Sequence, residues 1–126
     1  MNRKKLKGFF LGLVMLTILA SCKVSKDYQG EWFALDGLGN QVKLNYTEKE
    51  LKTNDGKKYE LSQYGTGLEN GMKYYQIKID NDKYTFIYPE KNDKDTAVVV
   101  KPDDEDKPLK GKILFKMNKN AYPEKH

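Results

Sequence analysis

The sequence predicts an all-β domain, an antiparallel meander of about eight strands that closes, or nearly closes, into a small barrel. Three observations carry that prediction. Apolar and polar residues alternate with a period of two in one segment after another, the pattern of half-buried strands. Short stretches rich in Gly, Asn and Asp separate those segments at the spacing of tight turns. No window keeps a helical period; the nearest, Thr47-Glu48-Lys49-Glu50-Leu51-Lys52, is a single turn at best. A meander of this size closes because closure removes exposed strand edges.

The chain opens with a segment of different character. Met1 to Lys7 carries four positive charges and no acid, and Gly8 to Ala20 is almost wholly apolar. That run of 13 residues falls short of the roughly 20 a bilayer-spanning helix needs. A charged start, a short apolar centre and small residues after it describe an export signal over residues 1–21. Residues 22–29 are polar and read as a tether, with Lys23 to Gln29 spanning at most ~25 Å fully extended. The barrel domain is expected over residues 30–119, and residues 120–126 as a flexible tail.

Glu31-Trp32-Phe33-Ala34-Leu35 is the first expected strand, and Asp36-Gly37-Leu38-Gly39-Asn40 its turn. Gln41 to Thr47 alternates strictly, with Val42, Leu44 and Tyr46 on one face. Glu50 to Thr53 is a weak strand, and Asn54-Asp55-Gly56 a hairpin turn, since Asp-Gly tolerates positive φ. Lys58 to Tyr64 follows with Tyr59 and Leu61 facing in. The glycine-rich Gly65-Thr66-Gly67-Leu68-Glu69-Asn70-Gly71 reads as a hairpin connection. A phosphate-cradling loop would need a following helix, and here a strand follows. Met72 to Ile79 places Tyr75, Ile77 and Ile79 on one face. Asp80-Asn81-Asp82 turns the chain into Lys83 to Tyr88, where Tyr84, Phe86 and Tyr88 alternate until Pro89 ends the strand. Thr96 to Lys101 contains Ala97-Val98-Val99-Val100, and Lys112 to Met117 closes the set with Ile113, Phe115 and Met117 inward.

Composition narrows the function classes. The formal charge of +5 misleads, because four of the 23 basic residues and none of the 18 acids precede Cys22; beyond the signal 19 face 18, a net +1. Nucleic-acid binding loses its compositional support. His126 is the only histidine and Cys22 the only cysteine, so triads and histidine zinc sites are not expected, and the chain reads as a non-enzyme without cofactor. Asp103-Asp104-Glu105-Asp106 offers the strongest metal candidates, Asp103, Asp104 and Asp106, yet lacks an EF-hand's spacing and glycine; a solvated loop is the expectation. Tyr74 alternates opposite Tyr75, and outward tyrosines such as Tyr74 and Tyr64 offer contact area with a polar tip.

Leu19-Ala20-Ser21-Cys22 resembles a bacterial lipobox. The resemblance implies cleavage before Cys22, with Leu19, Ala20 and Ser21 read by the signal peptidase, and a diacylglyceryl group on the Cys22 sulfur. Two acyl chains anchor durably where one is marginal, so the domain would be held at the outer face of the cell membrane. Gly30-Glu31-Trp32 resembles the start of lipocalin and avidin-type barrels, which implies a glycine allowing close approach and a tryptophan plugging the closed end. The chain departs from lipocalins in its length, in the missing carboxy-terminal helix, and in having no arginine in its last strand to stack on the tryptophan; Lys116 would be the substitute. The lipobox, Tyr28-Gln29-Gly30-Glu31-Trp32 and Lys101-Pro102-Asp103-Asp104-Glu105-Asp106 together are similar to small surface lipoproteins of streptococci and lactococci. The expected role is a binding module near the membrane that meets a protein partner, of exclusion or immunity type. The alternative is a lipocalin-like carrier of a small apolar ligand inside the barrel.

Overall fold

The computed structural model describes residues 23–124. The export signal and the lipobox positions Leu19, Ala20, Ser21 and Cys22 lie outside the described residues, as does His126. Eight strands follow: β1 Gly30–Asp36, β2 Gln41–Tyr46, β3 Glu50–Thr53, β4 Lys58–Glu69, β5 Met72–Ile79, β6 Asp82–Tyr88, β7 Thr96–Pro102 and β8 Gly111–Asn118. Each pairs antiparallel with the next, and β8 returns to β1 through Phe33↔Asn118, Ala34↔Met117, Leu35↔Lys116 and Asp36↔Phe115. The barrel is therefore closed, and no helix occurs among the described residues.

The period-two alternation puts one apolar set on the axis. Trp32 and Ala34 of β1, Leu44 and Tyr46 of β2, Leu61 of β4, Tyr75 and Ile77 of β5, Phe86 and Tyr88 of β6 and Val99 of β7 share one buried cluster. Phe86 is its hub: its ring stacks on Tyr28 at 4.6 Å and meets Trp32, Tyr46 and Tyr88 edge-on at 5.5 Å each. Such pairs stabilise by about 0.5–1.5 kcal/mol each beyond the area they bury.

Two expectations are corrected. The glycine-rich stretch from Gly65 is mostly strand: β4 runs on to Glu69, and Asn70 and Gly71 alone turn the chain, both with positive φ. The glycines are tolerated because partners across the ladder fill their empty side-chain positions. Gln76 lies over Gly65 and the Tyr74 ring over Gly67. Ile113, expected inward, is 41 % exposed. A register shift between Val99 and Val100 makes Phe115 oppose Val99 and Ile113 oppose Val100, so Leu114 packs on the core instead. An extra residue in one strand moves the following side chains to the other face.

The meander sorts its connections by end. The turns after β1, β3, β5 and β7 lie at the far end. The connections after β2, β4 and β6, the end of β8 and the segment entering β1 lie at the other, here called the mouth.

Candidate functional site

Residues 23–29, part of the polar tether expected over residues 22–29, are instead latched into the mouth. Val24 is 5 % exposed and Tyr28 fully buried, both within the core cluster. The segment is polar, so its backbone and side chains need partners before it can be buried, and the barrel supplies them. Gln63, buried on β4, accepts at Oε1 from the Ser25 amide and from the Tyr28 hydroxyl, each at 2.9 Å. The Trp32 indole donates to the Tyr28 carbonyl at 2.9 Å, and the Tyr88 hydroxyl to the Asp27 carbonyl at 3.1 Å. The Tyr75 hydroxyl donates to the Asp27 carboxylate, which Lys94 approaches at 3.6 Å.

These contacts set the electrostatics of the mouth. The Tyr75 hydroxyl, with Lys94 assisting, holds the Asp27 carboxyl below the ordinary range. Burial, and then the hydrogen bond to Asp27, pushes Tyr75 up to about 12. Burial pushes Tyr28, Tyr46 and Tyr88 higher still. All four phenols stay neutral near pH 7, serving as donors and packing surface.

Trp32 sits fully buried at this end, on the axis. The cation over its ring is Lys119, 5.1 Å from the centroid and one residue past β8. Lys116 lies opposite Leu35 and Val98, whose side chains are outside the interior cluster. Gly30 has φ of +115° with open space around its missing side chain. Its glycine thus serves a left-handed backbone turn into β1 rather than a close approach.

Aromatic side chains fill the mouth half of the interior. The latch, Trp32, Tyr46 and Phe86 occupy the mouth half, and Val42, Ile79, Tyr84 and Leu114 pack on the cluster. The open clefts lie on the outside or at the rims. One of about 330 Å3 at the mouth is lined by Asp27, Leu68, Lys73, Tyr88 and the loop Glu90 to Lys94. Another of about 350 Å3 at the far end is lined by Leu38, Tyr84, Lys101, Lys112 and Ile113. Neither cleft is an enclosed apolar pocket of the kind a carrier needs.

The other candidate residues lie apart from the latch. Tyr74 is half-buried over Gly67, so its face is occupied. Tyr64 stands at the irregularity between Gln63 and Gly65, 37 % exposed, with the Lys83 and Lys78 ammonium groups 5.4 and 5.9 Å from its ring centre. Asp103, Asp104 and Asp106 lie in the far-end loop between β7 and β8. Its acids bond locally: Asp104 Oδ1 accepts the Asp106 amide at 2.9 Å, and Glu105 pairs with Lys83 at 2.6 Å. Among the described residues no group of three or more His, Cys, Asp or Glu is close enough to hold a metal ion. Sequence reasoning missed Ser25, Asp27, Gln63 and Lys119. The available signal was Val24 and Tyr28, two apolar bodies four apart in a polar stretch. Comparison of the chain with known protein families, with curated proteins and with solved structures finds no match in any of the three.

Proposed function

We propose that this protein is a lipid-anchored surface lipoprotein, acylated at Cys22 and held at the outer face of the cell membrane. It acts there as a non-catalytic binding module for a protein partner, in an exclusion or immunity role. One observation carries the reading: the chain is latched into the barrel from Val24 onward, leaving Lys23 alone between the acylated residue and the buried body. A diacylglyceryl anchor at that point brings the domain to the bilayer and nowhere else. The buried cluster in the mouth half of the barrel supports a reading in which recognition uses the outer surface and the loops. The far-end cleft, with Leu38 89 % exposed beside Ile113 and flanked by Lys101 and Lys112, is the surface best placed for a partner arriving from outside. Chemical crosslinking on intact cells, followed by purification of the protein, tests this. A membrane or extracellular protein should be enriched with the wild type and lost with Leu38→Asp/Ile113→Asp. Equal recovery from both, or no enriched partner, contradicts the proposal.

A further inference from the structure

The latch also bears on how the barrel stands on the membrane. Two residues, Cys22 and Lys23, separate the acylated sulfur from buried Val24, a span of at most ~7 Å. Lipid attached there cannot reach around a barrel whose far end lies roughly 20 Å away along tilted strands. An anchor on Cys22 would therefore bring the mouth to the bilayer.

A second feature, independent of the anchor, marks the same rim. Leu68 is 70 % exposed near the tip of the β4–β5 hairpin. It lies at the mouth end of β4, on the ladder face it shares with buried Tyr75, since Leu68 opposes Lys73 two residues on from the pair Thr66↔Tyr75. Leu68 also lines the mouth cleft together with the latch residue Asp27. Lys73, Lys91 and Lys94 line that cleft alongside Asp27, Glu90 and Asp93, and lysine stems at a lipid interface bury their methylenes while the ammonium stays among headgroups. Far from the bilayer, an exposed leucine at a hairpin tip would gain nothing; at the headgroup boundary it removes apolar area from water.

We propose that the mouth rim is a lipid-contacting surface. Leu68 enters the headgroup–acyl boundary beside the anchor, and the barrel stands end-on with the acidic loop Asp103 to Asp106 and Leu38 directed outward. This rests on acylation at Cys22, and the experiment separates the two. Leu68→Cys and Leu38→Cys variants are purified from membranes and their mass is checked for the acyl group. With the Cys22 sulfur blocked by lipid, the introduced thiol alone takes an environment-sensitive fluorophore. The labelled proteins are placed on vesicles of equal parts phosphatidylcholine and phosphatidylglycerol containing headgroup-level spin-labelled lipid. The label at 68 should be quenched several-fold and blue-shifted, and the label at 38 unchanged. Acylated protein whose label at 68 is quenched no more than that at 38 overturns the orientation and leaves the anchor standing. Material without the acyl mass overturns the anchor, and the orientation with it.

Discussion

Gln63 is the residue on which the latch turns. Its single amide oxygen accepts from both Ser25 and Tyr28. Gln63→Leu leaves two donors without their acceptor and should cost about 2 kcal/mol or more, because a buried unpaired donor loses its solvation without return. Tyr28→Phe removes one donor while Gln63 keeps Ser25, and should cost about 1 kcal/mol. Tyr28→Ala empties the mouth and should cost about 3–5 kcal/mol. Urea denaturation of the three variants checks the order; Gln63→Leu no worse than Tyr28→Phe would refute the shared-acceptor account. Tyr75 and Asp27 make stability depend on pH at both limits. The Asp27 carboxyl is lowered by the Tyr75 hydroxyl, so its contribution is present above the ordinary aspartate range, about pH 4, and drains away as pH falls through the folded value. Tyr75 is raised to about 12, so its contribution is complete below about pH 10 and is lost as pH climbs through the folded value. Tyr75→Phe should weaken the dependence at both limits in a stability-versus-pH series, leaving the acid slope owed to Asp36 and Asp55, whose carboxyls are also lowered, and the alkaline slope owed to the buried Tyr28, Tyr46 and Tyr88, whose hydroxyls are also raised. Little of this was legible in the chain. Lys23 to Gln29 has no period, and a polar segment reads as tether until the groups that satisfy it are seen.

The strands themselves were the most legible part, because alternation is a local property that the barrel preserves. Val42, Leu44 and Tyr46 of β2 and Tyr75, Ile77 and Ile79 of β5 pack as the pattern implies. Legibility failed where a neighbour across the ladder decides the outcome. Gly65 and Gly67 read as turn residues, yet stay in β4 because Gln76 and Tyr74 cover them. Ile113 read as inward, but the irregularity opposite Val99 and Val100 turns it out. The glycines of the two sites differ in what an added methyl would meet. At Gly67 it meets the end of the Tyr74 ring, which can swing into solvent; at Gly111 it meets the backbone of Lys101 and Pro102. Gly111→Ala should therefore cost about 1–3 kcal/mol, in the range of overpacked sites, and Gly67→Ala clearly less. Thermal unfolding of the two alanine variants checks this, and equal losses would contradict it.

At the scale of the whole molecule, closure and the latch act together. Ladder pairing between β1 and β8 removes both sheet edges, and the segment feeding β1 fills the mouth that closure creates. On the proposed reading, recognition falls to the outer surface, and an anchor at residue 22 would hold the mouth against the bilayer. The all-β class followed from period and turns, since those are written locally; which end is plugged, and by what, depends on contacts between residues 35 to 61 positions apart. Mass spectrometry of the amino-terminal fragment of protein isolated from the cell membrane is the most direct test of the anchored arrangement. A mature chain beginning at Cys22 and carrying a diacylglyceryl group on its sulfur is the predicted result. A free thiol at Cys22, or a terminus elsewhere in the chain, would contradict it.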